Sequence, residues 1–221
     1  LRAVRNNALL IRAHGAALET LKKARLSGYT IIDATCPMVK EIHRTVKDMH
    51  KIGFKVIVIG DKKHEEVRGI TGQLKEKVLV IDRINSIPLG KIRKIKQACV
   101  VVQSTQNVEK VLKIVALLKE HVPDLEFFNT ICKPTRTKQE EIKKMALEND
   151  VMLIIGSKKS ANTKRLYEIS HSLNKKSWWV NSKKEINVSW FKGAQSVGIT
   201  AGASTPEDSI KAIVEYLSNL N

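Results

Sequence analysis

Aromatic side chains are scarce in this sequence: Trp, Tyr and Phe make up only 5% of its 221 residues. So few rings, scattered along the chain, exclude the stacking platform on which single-strand nucleic-acid binders lay their bases. They also leave Ile, Val and Leu to fill whatever cores the chain builds. Cysteine is scarcer still, at three residues. A small, odd number forms no disulfide framework and fits a reducing compartment, here expected to be the cytoplasm. No apolar run is long enough to cross a bilayer as a helix. Acidic side chains are the minority among charges, with 22 Asp and Glu against 39 Lys and Arg. The resulting formal charge of +17 favours anionic partners: nucleic acid, anionic lipid or a phosphorylated small molecule. Charge alone does not choose among them.

What is present is a regular alternation. Hydrophobic residues are 43% of the chain, enough for one large domain or two smaller ones. Ala8–Arg12 reads as a strand, Ala16–Leu26 as a helix stopped by Gly28, and Tyr29–Asp33 as the next strand. A helix follows from Pro37 to about Ile52, and Gly53 precedes Phe54–Gly60, whose continuous β-branched content predicts a buried strand. Val78–Asp82 and Ala98–Gln103 are similar strands; the helix Val108–His121, the strand Leu125–Asn129 and a helix after Pro134 come next. Val151–Gly156, a helix around Asn162–Asn174, Trp178–Val180 and Val197–Thr200 continue the pattern. Thr205 as cap, Pro206, and the acids Glu207 and Asp208 open the last helix. Strands alternating with helices predict an α/β fold of mostly parallel sheets covered by helices.

One stretch is chemically pointed. In "IIDATCPMVKEIH", residues 31–43, Cys36 ends a strand and stands just ahead of a helix that starts at Pro37. Open α/β sheets bind ligands at such carboxyl ends, and a helix N-terminus favours an anion. Five strand-to-helix turns share this character: "RAHGAA", "DKKHEEVRGITGQ", "QSTQN", "GSKKSANTKRL" and "TAGASTPED". Small polar residues and histidine beside backbone N–H groups at helix starts make anion sites. Helix capping explains any one of these turns; five together point to an anionic ligand.

Taken in order, the motifs "AHG" (13–15), "DATCP" (33–37), "HEEVRGITGQ" (64–73), "QST" (103–105), "TIC" (130–132), "GSKKSAN" (156–162) and "GITAGAS" (198–204) resemble the 4-hydroxy-3-methylbut-2-enyl diphosphate reductase family. That resemblance implies three similar α/β lobes around a central 4Fe–4S cluster held by three cysteines. The lobes are expected at residues 1–36, 37–129 and 130–221, the first incomplete. The implied reaction is two-electron reductive removal of the substrate hydroxyl, giving isopentenyl and dimethylallyl diphosphates. Electrons would come from a ferredoxin- or flavodoxin-like donor.

By the same resemblance Cys36 and Cys132 are the second and third of three cluster ligands, and three thiolates leave one iron open to the substrate. Cys99, inside an apolar strand, matches no ligand and reads as a small buried hydrophobe. His14 and His64 match contacts to the diphosphate or the hydroxyl, and Glu66 matches the carboxylate that relays protons to the departing hydroxyl. Glu65 is offset by one residue from that position. Ser104 stands where the family usually has threonine, and Thr105 follows it. Ser160, Ala161 (in place of a usual serine), Asn162 and Ser204 match diphosphate contacts. Lys158, Lys159, Lys164 and Arg165 read as solvated charge that steers an anionic substrate.

The family's first cysteine and one upstream histidine have no counterpart, and the chain opens on Leu1 instead of Met. The expectation is therefore a start partway through the first lobe, with weak iron binding and no turnover by residues 1–221 alone. Two rivals remain at this level: a basic nucleic-acid-binding protein, and an anion-binding remnant of the reductase.

Overall fold

The structure, a computed structural model, describes residues 7–220. These divide into two compact units, one ending at Cys132 and the other beginning at Lys133.

The first unit runs β1 (Ala8–Ile11), α1 (Leu18–Leu26), β2 (Thr30–Asp33), α2 (Pro37–Lys51), β3 (Lys55–Ile59), α3 (Glu65–Thr71), β4 (Leu79–Ile81), α4 (Leu89–Ile92), β5 (Gln97–Val102), α5 (Val108–Lys119) and β6 (Asp124–Phe127). It holds a two-stranded parallel sheet, β1-β2, and a four-stranded parallel sheet in the order β4-β3-β5-β6. From β3 the chain moves outward to β4, and from β5 outward to β6. The order thus reverses between β3 and β5, which opens a crevice at their carboxyl ends. Ile59 pairs with Val102, so the turns leaving these two strands stand side by side.

The continuous apolar runs have a simple cause: both faces of the larger sheet are covered. Ile57, Ile59, Val100 and Val102 pack with Val111, Ile114 and Leu118 of α5. The alternate residues Val56, Val58, Cys99 and Val101 pack with Ile42 and Val46 of α2 and with Val67 and Ile70 of α3. Along α2 the buried positions are Val39, Ile42, His43 and Val46, a helical stripe turned to that sheet.

The region preceding α1 is locked onto α3. Leu18 N–H donates to the Gly72 carbonyl (3.0 Å), and Gln73 Nε2 donates to the carbonyls of Ala16 (3.0 Å) and Gly69 (2.8 Å). A Cβ at Gly69 would stand 3.2 Å from the His14 carbonyl oxygen, and one at Gly72 only 2.2 Å from Ala17 Cβ. The glycines of "RGITGQ" thus make room for the 14–17 segment, and this contact joins the two sheets into one unit.

The second unit runs α6 (Lys133–Glu148), β7 (Val151–Ile155), α7 (Ala161–Leu173), β8 (Ser177–Val180), β9 (Val197–Ala201) and α8 (Glu207–Ser218). Its three parallel strands lie in the order β8-β7-β9. Met152 and Ile154 face α6 and α7 through Ile142, Leu166 and Ile169. Leu153 and Ile155 face Val180 and Ile213 of α8.

The α/β class and the parallel sheets are as the alternation predicts. Two local expectations fail. Thr205 does not cap α8: its hydroxyl donates to the Ile155 carbonyl (3.2 Å), and Pro206 occupies the cap position with no side-chain bond. Arg165 is not solvated charge but is 6% exposed, paired with Glu168 at 3.2 Å. Its place on the inner face of α7 decides this, which its position in a basic run conceals. Among the described residues, no helix is long and apolar enough to cross a membrane.

Candidate active site

The site of the first unit assembles at the crevice between β3 and β5. His64 caps α3: its Nδ1 accepts Glu66 N–H at 3.2 Å. A backbone N–H can only donate, so neutral His64 carries its own proton on Nε2. Burial, first of all, holds its pKa below the ordinary histidine value. Glu66, on the first turn of α3, is 2% exposed. Its carboxylate reaches across to the β5–α5 turn, where Oε1 accepts Ser104 N–H (2.6 Å) and Oε2 accepts the Ser104 hydroxyl (2.8 Å). Ser104 thus donates to Glu66 and keeps its oxygen lone pairs for another donor. Thr105 beside it is half-buried.

Cys132 adjoins this pair. Its N–H donates to the Ser104 carbonyl at 3.1 Å. Thr130 extends the β5 edge with its side chain: Oγ1 donates to Val102 C=O (2.6 Å) and accepts Val102 N–H (2.8 Å). Glu66, Ser104 and Cys132 therefore come from turns after β3, β5 and β6, a grouping their distance in sequence hides.

His14 comes from the turn after β1. Its ring meets that of His64 edge to face, with centroids 5.3 Å apart, and its Nδ1 lies 3.6 Å from Glu65 Oε2. Glu65 is an exposed surface carboxylate paired with Arg12, whose hydrogen bond draws its pKa down. A cavity of about 270 Å³ lies here, walled by Arg12, His14, Gly15, Glu65, Arg68 and Gly69. Cys36 lies on the turn after β2, half-buried at the N-terminus of α2, with its N–H donating to the Ala13 carbonyl at 3.0 Å. The turn before it is fixed by Asp33, which accepts from Lys40 (2.8 Å) and from the Thr35 hydroxyl and N–H. Lys40 foremost, then Thr35, lower the Asp33 pKa to about 2.

His43 of α2 went unnoticed in the sequence. It is 9% exposed, and a Cβ on Gly15, whose φ of +74° suits glycine, would stand 2.7 Å from its Cε1. Burial, with Lys47 adding to it, pushes the His43 pKa down to about 4. The folded pKa lies below the unfolded value of about 6.5, so the unfolded chain takes up this proton first. Stability from neutral His43 is full above pH 6.5 and is lost as pH falls towards 4, at up to about 1.4 kcal/mol per pH unit. Urea midpoints measured from pH 7.5 to 4.5 should fall, and His43→Gln should flatten that decline.

In the second unit, the turns after β7 and β9 adjoin because Ile155 pairs with Ala201. Ser160 caps α7, accepting Thr163 N–H at 3.2 Å. Asn162 is 8% exposed, and neither its Oδ1 nor its Nδ2 has a hydrogen-bond partner. Two such buried, unpaired polar atoms are costly without a partner, and they suit a bound polar ligand. Ala161 begins α7 and Ser204 is exposed on the β9–α8 turn. Gly156 and Gly202 admit Thr163 between the turns; a Cβ on Gly202 would lie 2.0 Å from Thr163 Oγ1.

Cys99 is fully buried, and burial raises its thiol pKa to about 11. Among the described residues, no group of three His, Cys, Asp or Glu is arranged to hold a metal ion. Cys36 and Cys132, both half-buried at strand-end turns, offer two thiol donors of the type an iron–sulfur cluster takes. The tryptophans offer no base platform: Trp178 and Trp190 stack on each other at 4.3 Å, while Trp179 packs with Tyr167 and Lys158.

Parallel sheets with carboxylate, histidine and thiol side chains gathered at strand carboxyl ends define an open α/β enzyme. The LytB protein family model matches residues 1–218. The 4-hydroxy-3-methylbut-2-enyl diphosphate reductase of Aquifex aeolicus is 39% identical over 215 residues, covering 96% of this chain and 74% of that protein. The reductase of the same name from Clostridioides difficile is 38% identical over 212 residues, covering 96% and 76%. Among solved structures, the E-1-hydroxy-2-methyl-but-2-enyl-4-diphosphate reductase of Plasmodium falciparum matches with a TM-score of 0.89 at 27% identity, over 99% of this chain and 69% of that one. A second, the terminal enzyme of the non-mevalonate pathway, matches with a TM-score of 0.65 at 36% identity, over 100% and 79%. The chain belongs to the LytB family, the family of 4-hydroxy-3-methylbut-2-enyl diphosphate reductases.

Proposed function

We propose that this protein removes the hydroxyl of 4-hydroxy-3-methylbut-2-enyl diphosphate in the last step of the non-mevalonate isoprenoid pathway. The observation that carries the reading is Glu66 held to Ser104 at a switch-point crevice, beside Cys132. Overall, the alcohol takes up two electrons and two protons and yields water with isopentenyl or dimethylallyl diphosphate. The three sheets support the lobe reading of residues 1–36, 37–129 and 130–221.

A 4Fe–4S cluster, when bound, supplies the electrons and a Lewis-acidic iron. Cys36 and Cys132 would supply two of its three protein thiolates, and the place of Cys99 in the core supports leaving it out of the ligand set. A ferredoxin- or flavodoxin-like protein in a reducing cytoplasm would deliver electrons one at a time. The excess of positive charge draws the diphosphate in. Asn162, Ser160, Ser204 and the N–H groups around Ala161 bind it at the start of α7. Within the first unit, His14 and His64 offer N–H donors of the kind that suit an anionic or hydroxyl group of the substrate.

The hydrogen bonds between Glu66 and Ser104 support a route for proton delivery. When Glu66 takes up a proton, its bond with Ser104 reverses, and Glu66 donates to the Ser104 oxygen. Ser104 then passes its own hydroxyl proton to the departing hydroxyl of the substrate, which leaves as water. Thr105 stands ready to hold that oxygen in place.

Anaerobic reconstitution with iron and sulfide, of this chain beside one extended upstream through a glycine-flanked cysteine, tests the reading: the extended protein should give a 4Fe–4S signal that changes on adding substrate, with both products formed, and residues 1–221 alone should bind iron weakly and not turn over. Cys36→Ser or Cys132→Ser should abolish the signal, and Cys99→Ala should leave it unchanged. A stable cluster in both serine variants would overturn the ligand assignment.

A further inference from the structure

Gln103 makes a second connection between the turn that carries Glu66 and the turn that carries Ser104. It is fully buried at the end of β5. Its Oε1 accepts Asp61 N–H at 2.9 Å and the Gln106 side-chain amide at 3.1 Å, while its Nε2 donates to Thr105 Oγ1 at 3.0 Å. The amide has only one orientation. Asp61 N–H can only donate, so the oxygen must face β3 and the NH₂ must face Thr105. The β3 exit is shaped around it: a Cβ on Gly60 would stand 2.9 Å from Gln103 Cβ and 3.0 Å from its Oε1.

We propose that Gln103 is a positioning residue, which ties the β3–α3 turn to the β5–α5 turn and turns the Thr105 hydroxyl into a donor. The first half follows from the Asp61 bond. Glu66 meets Ser104 only while both turns keep their separation, and Gln103 bridges them at their roots. The second half follows from counting protons. Thr105 Oγ1 accepts from Gln103, so its single hydroxyl proton points away from Gln103. Glutamine is the side chain of this length that accepts on one side and donates on the other. Methionine does neither, and an ionised glutamate accepts on both.

The inference rests on the proton-delivery reading above, and the test separates the two. Turnover of cluster-loaded protein, extended upstream through a glycine-flanked cysteine, would be measured for wild type, Gln103→Met and Gln103→Glu across pH 6 to 9. Amide hydrogen exchange at Asp61 and Ser104 would be followed alongside. Gln103→Met should lower kcat about 10- to 100-fold with KM little changed, and should speed exchange at both amides. Gln103→Glu should keep Asp61 protected but recover turnover only at the acid end, where its carboxyl regains a proton to donate. Unchanged kcat and unchanged Ser104 exchange in Gln103→Met overturn the proposal. If that variant does not fold, Gln103→Glu decides: wild-type turnover at every pH overturns it. Wild-type protein that carries a cluster but does not reduce the substrate overturns the functional reading instead, while exchange at Ser104 still tests the bridge.

Discussion

Glu66→Gln, in the chain extended upstream through a glycine-flanked cysteine, should keep the fold and the cluster while lowering turnover by about 10²–10⁴-fold, the range for loss of a general acid. The geometry explains why so small a change acts so strongly. Glu66 accepts two hydrogen bonds from one residue, the N–H and the hydroxyl of Ser104. A glutamine must keep its oxygen on the N–H, because that group can only donate. Its NH₂ then faces the Ser104 hydroxyl, which becomes an acceptor there. The variant therefore lacks the exchangeable carboxyl proton and also breaks the relay through Ser104. Ser104→Ala should cost less, because a water in the space left by the hydroxyl can carry the proton that Glu66 still supplies. Turnover against pH, with the cluster spectrum as control, measures both. Unchanged turnover in Glu66→Gln would remove Glu66 from the mechanism.

Gly72→Ala should destabilise the first unit by about 1–3 kcal/mol, or more if the loop cannot yield. The added Cβ would lie 2.2 Å from Ala17 Cβ and 2.8 Å from Ala17 Cα. Neither is the end of a flexible side chain, so the 14–17 segment must move off α3. That strains the Leu18 bond to Gly72 and the Gln73 bond to Ala16, and it draws His14 from the edge of His64. Gly90→Ala is the control, because a Cβ there meets nothing within 4 Å. A urea titration should separate the two variants clearly. Equal midpoints would show that the 14–17 segment yields at little cost.

Much of this protein is written locally. Continuous β-branched runs such as 54–60 and 151–156 specify doubly covered strands, and the intervening 3.6-residue stripes specify their helices. Glycines, prolines and small polar residues mark the turns, so the α/β class and the motif order are legible without coordinates. The inertness of Cys99 is legible too, because period-two alternation inside a buried strand turns it to a core face. Three things depend on contacts between residues far apart in sequence, which local pattern does not carry. Strand order brings β3 beside β5, and only that pairing carries Glu66 to Ser104, 38 residues away. The glycines at 69 and 72 read as ordinary helix weakeners until the 14–17 segment is laid against them. Burial is likewise not written locally: Arg165 and His43 look like any basic residue in a lysine-rich chain, yet both face inward. Sequence periodicity determines which elements form and which face each buries. The tertiary structure decides which turns meet, because that is set by the packing and pairing of segments many residues apart.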